Sequence, residues 1–351
     1  MAHPHSPLQN ILELPLSQLP LPEDGAAFRQ KQLAHWLFER GASSFESMSN
    51  LPQSWRQKLA QAFQIDPFKH IERFPSKDNS VRYLFSLWDG KQTEAVYMPY
   101  ANRKTLCLSS MVGCPAGCAF CATGALGFGR NLTTAELVGQ VLAIAWHEGF
   151  SPREIRNIVM MGMGEALLNY DHALAAIRTF IDPLALNMSA RRITVSTVGL
   201  PNRIRKLATE KLPLVLALSL HAPDEETRKR IIPTAHAYPI PDIIASLHDW
   251  QASIGRRITI EYTMLQGIND HLWQAEGLVE LLNGLKVHIN LIPFNPWHQS
   301  GFSSSEKSVI EGFKTRLERA KLTVSVRFSR GRDAGGACGQ LALQQNSLKT
   351  G

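Results

Sequence analysis

Three of the five cysteines lie within eight residues, and this cluster constrains the chain more than any other feature. Cys114, Cys118 and Cys121 form a Cys-x₃-Cys-x₂-Cys motif. Three thiolates on one short loop can bind three irons of a cubane [4Fe–4S] cluster and leave the fourth iron without a protein ligand. A structural zinc site needs a fourth Cys or His, and Cys107 and His147 are poorly spaced for that role. The motif therefore favours a cluster with one open position, with zinc as the competing interpretation.

Size and composition describe a globular chain with an excess of positive charge. The 351 residues are 44% hydrophobic and 19% charged, and the formal net charge is +7. A chain of this length can bury a substantial core, and its hydrophobic content excludes a disordered protein. The charge favours an anionic partner, of which RNA is the leading candidate, although many enzymes without such a partner are mildly basic.

The cysteine count and the N-terminal residues bear on the compartment. An odd number of cysteines argues against a disulfide framework and for metal binding or catalysis. The chain does not begin with a cationic segment followed by an apolar run, which predicts that there is no secretory signal. No apolar run is long enough to span a bilayer. We expect a monomeric cytoplasmic protein with no membrane contact.

The N-terminal part of the chain predicts a helical module followed by a β-hairpin. Apolar residues recur at helical spacing in two stretches, the second of which starts after Pro52. We assign residues 1–75 to this module and expect it to dock RNA. Residues 76–100 alternate between apolar and polar side chains on either side of Asp89-Gly90, which predicts a hairpin linker.

The rest of the chain alternates short apolar strands with amphipathic helices, which predicts βα units around a parallel sheet. The predicted strands lie near 105–110, 156–161, 192–197, 213–219, 258–264, 286–292 and 323–328. The predicted helices lie near 133–148, 171–182, 201–209, 240–254, 271–284 and 305–321. About six such parallel strands form a partial (β/α) barrel. The predicted fold class is therefore α/β, with the barrel over residues 101–330 and a C-terminal segment over residues 331–351.

Residues that can carry chemistry follow these strands directly, where parallel barrels place their active sites. The three cysteines of the motif come after the first strand. The others are Gly162-Met163-Gly164-Glu165 after the second, Ser196 at the end of the third, Ser219 and His221 after the fourth, and Asn295 after the sixth. The agreement of motif and strand position supports both predictions.

The ordered motifs resemble those of a known enzyme family. The cysteine motif followed by Ala-Thr-Gly at the mouth of a βα barrel is similar to that of the radical S-adenosylmethionine superfamily. Further segments narrow the resemblance to the RlmN/Cfr RNA adenine methyltransferases, namely Thr105 to Ser110, Gly127 to Thr133, Met161 to Glu165, Ser219 to His221 and Ala337 to Leu341. The match runs from about Phe28 to Leu341.

The resemblance implies a cofactor pair and a reaction route. In the superfamily the open iron binds S-adenosylmethionine, which is cleaved to a 5′-deoxyadenosyl radical. The resemblance implies that Cys338 accepts a methyl group from one S-adenosylmethionine, and that the radical from a second removes hydrogen from this S-methyl group, so that the carbon adds to adenine. Cys107 then forms a disulfide with Cys338 and frees the methylated base, by thiol–disulfide exchange. Glu94 matches the position of the residue that is given a proton-abstracting role in this family.

The same resemblance implies which residues contact S-adenosylmethionine. At Gly164 and Glu165 the backbone approaches the amino group of the cofactor, and glycine avoids a Cβ clash there. The residues expected to contact the ribose and the methionine part of S-adenosylmethionine are Ser196, Ser219-Leu220-His221 and Asn295.

The resemblance implies an enzyme that methylates a ring carbon of adenine in large-subunit ribosomal RNA, with transfer RNA as a further candidate substrate. Its electrons are expected from a donor such as flavodoxin or ferredoxin. Carbon 2 is the expected position and carbon 8 the alternative, because Ala166 stands where carbon-2 enzymes commonly have proline. Gly335-Gly336, before Cys338, departs from the family pattern and predicts a more mobile loop. A radical enzyme with another substrate and a metal-stabilised RNA-binding protein without catalysis are the two other hypotheses.

Overall fold

The computed structural model of the chain describes residues 8–22, 25–297 and 299–342. The predicted N-terminal module and C-terminal segment therefore extend in part beyond the described residues, over 1–7, 23–24 and 343–351. The strands are β1 (Gln9–Asn10), β2 (Phe63–Gln64), β3 (Phe68–Pro75), β4 (Val81–Leu87), β5 (Gln92–Tyr100), β6 (Arg103–Cys107), β7 (Met111–Gly113), β8 (Phe128–Asn131), β9 (Ile155–Met160), β10 (Ile193–Thr197), β11 (Val215–Ser219), β12 (Ile258–Met264), β13 (Val287–Pro293) and β14 (Thr323–Val326). The helices are α1 (Ala27–Phe38), α2 (Gln53–Ala62), α3 (Ala122–Ala125), α4 (Thr134–His147), α5 (Tyr170–Ile181), α6 (Pro201–Thr209), α7 (Glu225–Ile231), α8 (Ile240–Ile254), α9 (Leu272–Leu281) and α10 (Lys307–Arg319).

One sheet organises the molecule. Its strand order is β14-β13-β12-β11-β10-β9-β6-β5-β4-β3. The run from β6 to β14 is parallel throughout, and β3, β4 and β5 extend it with antiparallel pairs. Seven parallel strands thus form an open barrel, near the positions of the seven predicted strands, and the predicted α/β class is confirmed.

Strand β12 illustrates how side-chain alternation builds the barrel. Ile260 and Tyr262 are fully buried on its outer face, where the Tyr262 ring lies 5.4 Å from that of Phe313 in α10. Glu261 and Thr263 point to the opposite face, as successive strand residues must, and line the barrel interior. The inside of this barrel is therefore polar at the level where a ligand can bind.

The N-terminal module differs from its prediction at one end. Helices α1 and α2 form as expected, but residues 68–75 are strand β3, which pairs antiparallel with β4. Lys69 and His70 are exposed on this strand, so the apolar alternation that would predict it is weak. Charged side chains of this kind are typical of edge strands, where they hinder association through the open edge.

A short helix in the barrel region, α7, was also not predicted. Asp224 caps this helix by accepting a hydrogen bond from the Thr227 N–H.

The predicted hairpin is present, with β4 and β5 joined around Asp89-Gly90. Within the described ranges, no helix combines the length and apolar character needed to cross a membrane.

Candidate active site

The three cysteines of the motif line a cavity at the carboxyl ends of the parallel strands. Cys114 directly follows β7, and Cys121 directly precedes α3. The cavity has a volume of about 150 Å³. Besides Cys114, Cys118 and Cys121, its walls include Gly164, Glu165, Ser196, Ser219, His221, Glu261, Asn295, Arg327 and Cys338. Most of the predicted site residues are therefore brought together from separate strands.

The cysteine loop folds tightly on itself because glycine is available where two backbone segments meet. Gly113 has a φ of +70°, and a Cβ there would lie 1.9 Å from the carbonyl oxygen of Gly127. The next N–H, from Cys114, donates to that same carbonyl at 2.8 Å. The Cys121 N–H donates to the Cys118 carbonyl at 3.0 Å. These contacts turn the loop so that all three thiols face one cavity.

The donor set fits an iron–sulfur cluster. Burial raises the pKa of the Cys114 thiol to about 12 and also raises the pKa values of Cys118 and Cys121. Neutral thiols are thus favoured in this apolar setting, and bound metal would replace their protons, as it does in metal–thiolate sites. No group of three or more His, Cys, Asp or Glu side chains in the described ranges converges as ligands of a single ion. A cubane requires a different arrangement, because each thiolate binds its own iron.

Glu165 contributes a buried carboxylate to the cavity. Its Oε1 accepts from the Leu167 N–H at 3.1 Å and its Oε2 from the Val198 N–H at 2.7 Å. Burial raises its pKa to about 7, against the lowering effect of these hydrogen bonds. Gly164 beside it has a φ of +102°, and a Cβ there would lie 2.6 Å from the Cβ of Met111. The loop after β9 can therefore pack here only with glycine, and it presents a carboxylate suited to an ammonium group.

His221 is held as a neutral hydrogen-bond donor. Its Nδ1 accepts from the Thr263 N–H at 2.9 Å, which leaves the proton on Nε2. Burial, and then the nearby Arg228, lower its pKa to about 3. Ser196 and Ser219, whose hydroxyl oxygens are 3.3 Å apart, add two more polar groups from neighbouring strands.

Asn295 joins the cavity to the C-terminal segment. Its Nδ2 donates to the Ser329 hydroxyl at 2.8 Å and to the Cys338 carbonyl at 3.2 Å. Its Oδ1 is buried without a hydrogen-bond partner. Buried polar atoms are normally satisfied, so this oxygen is available to a donor on a bound ligand.

A second cavity lies beside the first and contains the other two cysteines. It has a volume of about 70 Å³, and its walls include both Cys107 and Cys338. Cys338, Cys121, Gly162 and Arg327 line both cavities. Burial, followed by the neighbouring Cys338, raises the pKa of Cys107 to about 12. The two thiols that were expected to meet are therefore close together, next to the cysteine motif.

The Cys338 segment is attached directly to the cysteine loop. The Ala122 N–H donates to the Gly339 carbonyl at 2.8 Å, and the Thr123 hydroxyl donates to the Leu341 carbonyl at 2.7 Å. Both donors come immediately after Cys121. Cys338 itself is exposed, so its thiol is accessible within an anchored segment.

Two predicted site residues are not brought into either cavity. The side chain of Leu220 is fully buried in the hydrophobic core, so only its backbone is near the site. Glu94 is absent from the walls of both cavities and forms a buried salt bridge with Arg82. The Arg82 Nε donates to the Ala334 carbonyl at 2.6 Å. Glu94 is therefore linked to the Cys338 segment through Arg82.

Sequence reasoning missed Glu261 and Arg327. Glu261 accepts from the Asn290 amide at 3.0 Å through Oε1, while its buried Oε2 has no hydrogen-bond partner. The pKa of Arg327 is raised above its ordinary value, chiefly by the nearby Cys338. A charged residue inside the apolar strand predicted at 258–264 was the available signal for Glu261. For Arg327 the signal was likewise a charged residue inside a predicted strand, the one at 323–328.

All five cysteines are free thiols in this structure. The disulfide between Cys107 and Cys338 that the resemblance implies is therefore not a standing feature of the fold, and it enters only as a proposed reaction step.

Comparisons with family models match two parts of the chain. A model described as the radical SAM superfamily matches residues 108–278. A second, described as the N-terminal domain of a ribosomal RNA large subunit methyltransferase, matches residues 15–65.

Whole-chain comparisons extend these matches. The chain is 55% identical over 344 residues to a probable dual-specificity RNA methyltransferase RlmN of Thermus thermophilus, covering 98% of this chain and 96% of the relative. It is 59% identical over 325 residues to the protein of the same description from Deinococcus deserti, covering 92% and 95%. A crystal structure of a radical SAM methyltransferase from Sphaerobacter thermophilus superimposes with a TM-score of 0.91 at 38% identity, covering 96% of this chain and 100% of that one.

Proposed function

This chain belongs to the RlmN family of radical S-adenosylmethionine RNA methyltransferases, and from this membership we propose that it transfers a methyl group to carbon 2 of adenine in large-subunit ribosomal RNA and in transfer RNA. The observation that carries the proposal is the pair of adjoining cavities. Cys338 lines both of them, between the three cysteines of the motif and Cys107. A thiol in this position can take up a methyl group on one side and deliver it on the other.

The cofactor pair is assigned to the larger cavity. Cys114, Cys118 and Cys121 would hold three irons of a [4Fe–4S] cluster, and the remaining iron would be open to S-adenosylmethionine. Gly164, Glu165, Ser196, Ser219, His221 and Asn295 would bind the rest of that molecule, with the Glu165 carboxylate suited to its ammonium group and the unpartnered Asn295 Oδ1 to a donor. When bound, the pair supplies a methyl donor and a radical that can remove hydrogen from a methyl group.

Cys338 is the proposed methyl carrier. It is exposed, whereas the other four cysteines are partly buried, and its segment is fixed to the cysteine loop through Gly339 and Leu341. The methylated sulfur therefore stays beside the cofactor cavity while its carbon, after loss of one hydrogen atom, bonds to the adenine ring. The hydrogen of that ring carbon would leave as a proton, and the remaining electron would return to the cluster.

Cys107 is the proposed releasing group. Its thiolate attacks the Cys338 sulfur, so that an S–S bond forms, the bond from that sulfur to the methylene carbon breaks, and the electron pair goes to carbon, which takes up a proton to complete the methyl group. Because burial raises its pKa to about 12, Cys107 must lose its proton within the loaded site. An external donor such as flavodoxin or ferredoxin would supply the electron that radical formation from S-adenosylmethionine requires, and two further electrons would return the disulfide to two thiols. We also propose that the protein acts as a monomer in the cytoplasm.

The experiment is methyl transfer by the reconstituted enzyme. Protein loaded anaerobically with iron and sulfide is given S-adenosylmethionine, reductant and either a large-subunit ribosomal RNA fragment or transfer RNA, and the nucleosides of each RNA are analysed by mass spectrometry. We expect 2-methyladenosine, in transfer RNA as well as in ribosomal RNA. 8-Methyladenosine would reassign the position, and cleavage of S-adenosylmethionine without any methyladenosine would contradict the proposed function.

A further inference from the structure

Two exposed aromatic rings stand at the mouth of the cavity that contains Cys107 and Cys338. Tyr100, the last residue of β5, and Phe328, just after β14, both line that cavity. Their exposed fractions are 37% and 60%. Large apolar rings exposed at the entrance of a reactive cavity are candidates for contact with an incoming partner.

Arginine side chains surround both rings. The guanidinium carbon of Arg103 lies 4.3 Å from the Tyr100 ring centroid, and that of Arg330 lies 4.9 Å from it. Arg332 lies 5.8 Å from the Phe328 ring centroid. Cation–π contacts of this kind hold charge against the rings. The entrance is therefore both aromatic and positively charged.

The Tyr100 side of this entrance is rigidly supported. Arg330, beneath the ring, donates to the carbonyl oxygens of Asp78 and Pro99 and forms an ion pair with the Asp78 carboxylate at 3.3 Å. Arg103, which pairs with Tyr100 across the β5–β6 turn, is exposed. A fixed ring next to an exposed cation suits a planar, anionic ligand better than an apolar protein surface.

We propose that Tyr100 and Phe328 form a stacking surface for unpaired nucleotides of the substrate RNA, with Arg103 and Arg332 contacting the flanking phosphates. The inference rests on the proposed function, because the target adenine must leave its neighbours to reach Cys338. Unpaired bases stack on aromatic side chains in single-stranded RNA recognition, and arginines along the path neutralise the backbone. The surface is continuous with the thiol cavity, so a base held there lies at the entrance to the reaction site.

The test measures RNA binding to the cluster-loaded enzyme. The probe is a short single-stranded RNA in which 2-aminopurine, a fluorescent adenine analogue, replaces adenine, because stacking quenches its fluorescence. We expect quenching with the unmodified enzyme and about tenfold weaker binding with Tyr100→Ala or Phe328→Ala, the size expected for loss of one base–aromatic stack. Tyr100→Phe and Phe328→Tyr should bind normally.

The matched control is Trp273→Ala, which removes a ring of 54% exposure from α9 and should leave binding unchanged. Arg332→Gln should weaken binding and reduce its salt dependence. Thermal unfolding of each variant checks that the fold is intact.

The outcomes separate this inference from the proposed function. If the unmodified enzyme methylates RNA but both alanine variants bind the probe as tightly as it does, the stacking surface is wrong and the function stands. If the probe is bound and quenched through these rings but no methyladenosine forms in RNA, the stacking surface stands and the function is wrong.

Discussion

Arg82 and Glu94 form a salt bridge in which both side chains are almost fully buried, with 2% and 1% of their surfaces exposed. Arg82 also donates to the Ala334 carbonyl and lies over the Phe74 ring, with its guanidinium carbon 4.1 Å from the centroid. Glu94 is thus linked through Arg82 to the segment that carries Cys338. This arrangement favours a positioning role for Glu94, as an alternative to the proton abstraction that the resemblance implies.

We predict that Glu94→Gln destabilises the fold by about 3–5 kcal/mol, because it leaves the Arg82 charge buried without its ionic partner. Arg82→Met should destabilise the fold as well, and the double variant should be more stable than the sum of the single effects predicts. Thermal and denaturant unfolding of the three variants measures the coupling free energy between Arg82 and Glu94. Strictly additive effects would contradict it.

The same two variants distinguish positioning from proton abstraction. In the proposed route, methylation of Cys338 precedes any removal of a proton from RNA. If Glu94 positions the segment, Glu94→Gln and Arg82→Met should both slow the appearance of methyl on Cys338, measured by protein mass spectrometry. Normal methylation of Cys338 with blocked formation of methyladenosine in Glu94→Gln alone would show that Glu94 acts on the proton.

Substitution of one motif cysteine should remove the cluster without unfolding the protein. Cys118 packs beside Phe120 in a small apolar cluster, and serine has nearly the same size. Cys118→Ser should therefore retain its fold but contain little iron or sulfide after reconstitution. Cys107→Ser is the matched control and should bind the full cluster. Metal analysis checks both variants, and one zinc without iron in the unmodified protein would instead favour the RNA-binding hypothesis.

Replacement of Cys107 should trap a covalent complex. If Cys107 releases the product, Cys107→Ala will leave adenine bonded through carbon to the Cys338 sulfur. Denaturing gels should then show protein joined to RNA, and nuclease digestion followed by mass spectrometry should locate the adduct on Cys338. Cys338→Ala should give neither adduct nor protein-bound methyl. Normal turnover by Cys107→Ala would exclude its proposed role.

Acid should weaken the contacts by which Asp78, in the β3–β4 turn, holds the C-terminal segment at Arg330 and Gly331. Burial raises the pKa of Asp78, but hydrogen bonds from Ser80, the Gly331 N–H and Arg330 outweigh this and hold it below its ordinary value. The folded-state pKa is therefore lower than the unfolded one, so the stabilisation is complete above about pH 4 and decreases as the pH falls further.

The variant Asp78→Asn tests these contacts in the metal-free protein. It should unfold at a lower temperature than the unmodified protein at neutral pH, and the difference should shrink as the pH is lowered below about 4. Asp249→Asn, which disrupts an exposed ion pair with Arg205, should have little effect at any pH. A difference for Asp78→Asn that stays constant from neutral to acid pH would contradict the prediction.

Local sequence patterns determined much of this protein. The spacing of Cys114, Cys118 and Cys121 predicts their common loop, because residues so close in the chain cannot lie far apart. The strand and helix periodicities predict the parallel strands and the groups that follow them, since side-chain alternation depends only on neighbouring residues. Strand β3 was missed because its exposed charged residues obscure the alternation.

Only the tertiary structure decided which distant residues meet. Cys107 and Cys338 line one cavity, and Tyr100 and Phe328 stand together at its mouth, because the C-terminal segment folds back over β4 and β5. Hydrogen bonds from Arg82 to Ala334 and from the Gly331 N–H to Asp78 hold it there. Contacts between residues so far apart in sequence depend on the closure of the whole sheet, and no local spacing encodes them. The ion pair of Glu94 with Arg82 depends in the same way on the pairing of β4 with β5.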